Sequence, residues 1–200
     1  MGDKLVEWLF GVMASPVKTL DEIAREKPIG WALLVYFGVT ILVFLANLYG
    51  DQGLRGLTEV MAEFDLYIST SVIIFGGLAF AGVSVFIFTG LLHLLAKLFG
   101  GRGLYWNFFC AFCFADFPMI IIVPVTLFAF YFGTAGSILS GLITFGLSVW
   151  VIVLQVIALR ESHGLSTGAS IGAYIIYFAI LIVIPVAIIV ALVAALLIAV

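Results

Sequence analysis

Apolar residues run along this chain in long unbroken blocks. Five stretches are almost free of charge, at about 29–49, 67–96, 104–132, 137–159 and 169–200. A hydrocarbon core about 30 Å thick needs roughly 20 apolar residues in a helical span. Strands of a membrane barrel would be segments of about ten residues with alternating polarity. The pattern therefore predicts an all-α polytopic membrane protein, a five-transmembrane-helix bundle over 29–200. Residues 1–28 form a separate N-terminal segment of short amphipathic helices. In the first of these, Leu5, Trp8, Leu9 and Val12 share a face, which predicts an interfacial helix with Trp8 at headgroup depth. Ser15 and Pro16 read as the N-cap and first residue of a second helix, with Thr19 and Glu22 as an alternative capping box. That helix stops before Pro28. The two helices either seat the bundle or offer a docking platform to a protein partner at the cytoplasmic face.

The loops have their own pattern. Leu57, Val60, Met61 and Phe64 recur at helical spacing and predict a short surface helix in the acidic 50–66 loop. Two spans are longer than a perpendicular helix needs. Gly76–Gly77 is expected to bend the second span and Pro185 to kink the fifth.

Composition narrows the class further. Of 200 residues, 65% are apolar and only 10% are charged. Soluble domains carry about 25% charged residues, so a soluble enzyme, a nucleic-acid-binding domain and a disordered chain are all excluded. The net charge of -3 offers nothing to nucleic acid, and the lipid bilayer is the expected partner. Glu7 interrupts the apolar stretch at 5–13, so a cleavable signal peptide is not expected. Lys4, Lys18, Arg25, Lys27, Lys97, Arg102 and Arg160 fall on one side of a five-span topology, and only Arg55 falls on the other. Basic residues are retained in the cytoplasm, which predicts a cytoplasmic N-terminus and an outside C-terminus.

Chemistry is sparse. Asp116 is the one acidic residue within a span. A charge there costs about 2.5–3.5 kcal/mol on insertion scales, so it faces the bundle, takes up a proton or finds a partner. Candidate partners are His93, Thr89, Gln155, Arg102 and Arg160. The residue serves either a proton or ion relay or a hydrogen bond that fixes packing. Pro118 and Pro124 break the helical ladder of the same span, as in the broken helices that line some transporter sites, or only shape it. Cys110 and Cys113 have redox spacing but lie in an apolar helix, which predicts simple packing. His93 is expected at the interface and His163 in a solvated 160–168 loop. No cofactor, metal set, phosphate loop or nucleophile–base pair is evident. Small residues spaced by four predict close helix contacts: Gly77 with Ala81, Ser137 with Gly141, Gly168 with Gly172, and the stripe Ala187, Ala191, Ala195, Ala199. The contacts are internal by default, with a homo-oligomer as the alternative.

Four stretches in order resemble the Yip domain family of five-span membrane proteins. Ser15 to Ile23 is similar to the short helix before span one in prokaryotic members. Leu94 to Gly103 (LLAKLFGGRG) resembles the basic, glycine-rich turn after span two. Ala111 to Pro118 (AFCFADFP) resembles the alanine–aromatic stretch of span three. Val149 to Gly172 resembles the exit from span four and the link to span five. The resemblance implies a bundle with its N-terminus inside. In eukaryotic relatives it implies vesicle traffic and contact with Rab-type GTPases. Those relatives carry a D-L-Y-G-P motif in a long N-terminal region. Here Asp65-Leu66-Tyr67 is followed by Ile68 on the opposite side, and 28 residues precede span one. The expectation is a non-enzymatic, prokaryotic-type member in the plasma membrane that organises membrane or recruits partners. The alternative is a small transporter or channel using Asp116 and the broken third span.

Overall fold

The computed structural model describes residues 2–49, 59, 61–63 and 68–199. Of the surface helix expected in the 50–66 loop, Leu57, Val60 and Phe64 lie outside the described residues.

Helix α1 spans Gly2–Ala14 and α2 spans Pro16–Glu26, separated by Ser15 alone. Pro16 suits the first turn, where its missing N–H costs no hydrogen bond. Ser15 holds the N-cap position, but its side chain makes no capping bond. Thr19, the alternative cap, is instead buried inside α2. The reason is Gly11: a Cβ there would stand 2.5 Å from Thr19 Oγ1. The two helices therefore cross backbone against side chain, with no room for more. Lys27 ends α2 in the left-handed region at φ 53, its N–H donating to the Ile23 carbonyl. Pro28 follows and cannot continue the ladder.

Five spans follow. The first is α3 (Ile29–Tyr49) and the second α4 (Thr70–Leu98). The third is broken into α5 (Tyr105–Ala115), a 3-10 turn (Phe117–Ile121) and α6 (Ile122–Tyr131). The fourth is α7 (Gly133–His163) and the fifth α8 (Thr167–Ala199). All five are long and apolar enough to cross a membrane, and no strand occurs among the described residues. The fold is an all-α polytopic bundle.

Several boundaries move from the sequence expectation. The fourth span begins at Gly133, so 133–136 is helix and not loop. The turn from α6 is tight because Gly136 has no side chain; a Cβ would lie 2.3 Å from the Ala129 carbonyl oxygen. At its other end α7 runs through Arg160 to His163, where Gly164 terminates it at φ 64. The expected bend at Gly76–Gly77 does not interrupt α4, and α8 stays helical through Pro185.

Packing is concentrated at one end. Buried residues of α4 begin at Ser84, those of α7 cluster from Val151 to His163, and those of α8 lie between Ser170 and Tyr177. The opposite halves of these helices show lipid-type side chains such as Phe75, Phe80, Leu142, Phe145, Ile182 and Ile189. Over an apolar 18-residue stretch, 56% of span three is buried against 6% of span five. Span three is therefore the central strut. The dense end is also the end where α2 packs on α5 and α7. Leu20, Ile23 and Ala24 of α2 are buried in one core with Phe108 of α5 and Leu159 of α7.

Candidate functional site

Asp116 sits where span three breaks. Pro118 has no N–H to donate to the carbonyl one turn back, and the chain tightens to a 3-10 turn at Phe117–Ile121. Asp116 follows α5 directly, and its backbone carbonyl accepts from Met119 at 3.0 Å. The side chain does not cap the turn. It points to α7, where Gln155 Nε2 donates to Oδ1 at 2.5 Å. Tyr174 on α8 donates its hydroxyl proton to Gln155 Oε1 at 3.3 Å. A polar chain thus ties spans three, four and five inside an apolar bundle. Pro124 lies one turn into α6 and lines a separate, apolar cavity of about 440 Å³ with Phe128, Phe132 and Leu139.

A second cavity, of about 350 Å³, lies beside Asp116. Its other wall is α3, which presents Tyr36, Thr40, Phe44 and Asn47 at intervals of three and four residues. Tyr36 donates to the Ala81 carbonyl at 3.2 Å, and Asn47 Nδ2 donates to the Val43 carbonyl at 2.8 Å. Span one therefore carries a polar stripe facing the Asp116 carboxyl group.

Of the five candidate partners for Asp116, the structure brings Gln155 to it. Thr89 turns instead to the Tyr105 hydroxyl at 2.9 Å. Arg160 pairs with Glu161 at 2.5 Å and donates to Thr167. His93 Nδ1 meets His163 Nε2 at 2.8 Å. This last contact corrects two expectations. His163 is 2% exposed, not solvated, because α7 continues past Arg160 and carries the ring inward. His93 is directed at it and not simply at the interface. Ser162 Oγ and the Leu159 carbonyl both lie within hydrogen-bond reach of His163 Nδ1. The Arg102 N–H donates to the His163 carbonyl at 3.0 Å and holds the 99–104 turn onto this helix end.

Trp8 also departs from expectation. It is 4% exposed and packs edge-on to Phe114 with ring centroids 5.7 Å apart. Its indole N–H donates to Glu22 at 3.2 Å. A residue read as a headgroup anchor is thus a core residue, because α1 folds against span three. Lys4 closes the same corner, over the Trp8 ring at 5.2 Å and paired with Glu22 and Glu26. The hydrogen bond to Glu26 raises the Lys4 pKa above its ordinary value. Its contribution is full below the ordinary lysine pKa and fades as pH climbs through the raised one.

The small-residue pairs divide. A Cβ at Gly77 would touch Phe44 at 3.5 Å, Ala81 accepts from Tyr36, and Gly172 faces Phe99 at 3.4 Å. Ser137, Gly141 and Gly168 are exposed, and nothing lies near a Cβ at Gly141 or Gly168. Ala187 and Ala191 are also exposed, so the stripe makes no internal contact there, and the Ala195 side chain lies outside the described set. The reason is length: α8 outruns the packed end of the bundle. Cys110 and Cys113 are free thiols buried in the core. Among the described residues, no group of His, Cys, Asp and Glu could hold a metal ion.

The histidine pair, the Gly11 crossing and Tyr174 were not legible as sites. Their partners lie on different helices, and no local pattern announces them. No curated protein and no solved structure matches the chain. A family model for the Yip1 domain does match, over residues 10–190. With five apolar spans, the third of them broken, the chain is a multi-pass membrane protein that belongs to the Yip1 domain family.

Proposed function

We infer that this protein organises the membrane it occupies, acting as a non-enzymatic wedge. One observation carries the reading. The α1–α2 hairpin lies alongside α5 and α7, so one half of the bundle holds the hairpin in addition to the five spans. The other half holds the spans alone, with most of their side chains outward. The cross-section is wider on the hairpin side. Val6, Phe10 and Met13 project from α1 on the side away from the buried Trp8 and Val12. An exposed apolar face beside a charged one suits acyl chains at the edge of a leaflet.

The basic-residue distribution supports placing the hairpin side in the cytoplasm. Residues 1–28 then form an interfacial unit and 29–200 the membrane unit, in a prokaryotic plasma membrane. The wedge favours bending toward a convex cytoplasmic surface. The test is sorting on narrow tubes drawn from giant vesicles that contain the labelled protein. Molecules with the hairpin on the outer, convex surface should be enriched on tubes severalfold over the flat membrane. Phe10→Glu, which expels α1 from the acyl region, should remove that enrichment. Equal density on tube and vesicle for the wild type would sink the reading. A photoreactive residue at position 10 separates the recruiting alternative, since it should label lipid and not a protein.

A further inference from the structure

We propose that the cavity between α3 and the break in span three binds a protonated amine carried on an apolar body. Three observations converge on that chemistry. First, the cavity of about 350 Å³ falls in the size range of small-molecule sites, which are mainly apolar with a few convergent polar groups. Val39, Val43 and Met119 supply the apolar wall, while Tyr36, Thr40, Asn47 and Asp116 supply the polar atoms. Second, the described lining holds one carboxyl group, that of Asp116, whose charged form a bound cation would stabilise. Gln155 donates to Asp116 Oδ1 but is neutral. Among the described residues, no Lys, Arg or His lines the cavity. Arg160 is occupied by Glu161, and His93 faces His163. A single positive charge balances the site; a zwitterion or an anion would leave its negative group without a partner. Third, the neutral polar groups are acceptors in waiting. Tyr36 and Asn47 spend donors on the backbone carbonyls of Ala81 and Val43. Their oxygens remain able to accept from an ammonium group, as does the Thr40 hydroxyl. Phe44 adds an aromatic wall, and ring faces attract cations.

A bare alkali ion fits less well, because it needs several oxygens around it and leaves the apolar wall unused. The amine accounts for both parts of the lining. Asp116 receives the charge, the hydroxyl and amide oxygens orient it, and Val39, Val43 and Met119 cover the body.

The experiment compares two probes of one shape, 1-adamantylammonium and neutral 1-adamantanol, against the purified full chain in mild detergent at neutral pH. Thermal unfolding is the readout, because a ligand that binds only the folded state raises the melting temperature. The ammonium should raise Tm in a saturable way and the alcohol should not. Asp116→Asn retains an oxygen for Gln155 and should abolish the shift. Thr40→Val should raise the half-saturating concentration about tenfold. Met119→Trp leaves the carboxylate intact and fills the cavity, so it should also abolish the response, which keeps the test valid if Asp116→Asn folds poorly. Equal shifts from both probes, or an ammonium shift unchanged in both Asp116→Asn and Met119→Trp, would overturn the proposal. Neither result bears on the wedge, whose test turns on Phe10 of α1, a residue outside the cavity lining.

Discussion

Gly103 has no space for a methyl group. A Cβ there would stand 2.0 Å from the Ser162 carbonyl oxygen, and the neighbouring Gly101 is confined by the Ala96 carbonyl in the same way. Both contacts are with backbone, which cannot rotate aside. Gly103→Ala should therefore cost about 1–3 kcal/mol, as overpacking does, and lower the unfolding temperature in detergent. Gly141→Ala is the opposite case, since that glycine looks onto open space on a regular helix. Its expected effect is a gain of up to about 1 kcal/mol from helix propensity. Measuring the two side by side separates glycines required by geometry from those merely present. Trp8 is the other residue whose loss should be felt. Trp8→Ala removes a buried aromatic ring, worth about 3–5 kcal/mol in such cores. The expected result is faster protease cleavage within residues 11–26 while the spans stay intact. Trp8→Phe should restore most of the protection, short of the hydrogen bond to Glu22.

At the scale of elements, α4 and α7 are joined at the dense end by the His93–His163 contact. One ring must donate and the other accept, so at least one must be neutral. Protonating both leaves two donors and two positive charges face to face. Lys97 adds a third positive charge one turn further along α4. The tie therefore holds near neutrality and fails in acid. Spin labels on the exposed Leu94 of α4 and Val153 of α7 should report a longer distance at low pH than at pH 7.5. The change should vanish in His93→Phe, and an unchanged wild-type distance across that range would refute the tie. This pair also marks where the sequence stops being legible. The five spans and the break at Pro118 follow from charge-free runs and a missing backbone donor, both local properties. The extension of α7 beyond Arg160 does not, since charged residues there suggest loop. It is helix because His163 finds partners across the bundle, its ring at His93 and its carbonyl at the Arg102 N–H. Trp8 shows the same limit: its helical face was readable, but whether that face meets headgroups or Phe114 depends on a distant segment. For Asp116, the sequence offered five partners, and the register of α7 against α5 decides for Gln155.

For the whole molecule, the proposed orientation, with the hairpin side in the cytoplasm, is open to labelling. A cysteine at Thr134, in the exposed first turn of α7, should react with an impermeant maleimide added outside intact cells. A cysteine at Phe99 should react only after the membrane is opened, and reversed labelling would invert the wedge. The buried setting of Cys110 and Cys113 should keep the background low. The seat of the N-terminal hairpin has a further consequence, in time. Trp8 rests on Phe114, and α2 rests on α5 and α7, so these two helices pack against elements synthesised well after them. Chains emerge at about 5–20 residues per second, which leaves α1 and α2 without their groove for several seconds. During that interval Trp8 and Val12 must wait at the membrane surface or in the care of a chaperone. The hairpin is thus fully seated only once α7 has been made, and a chain stalled before α7 should be recognisable by residues 2–26 that remain open to cleavage.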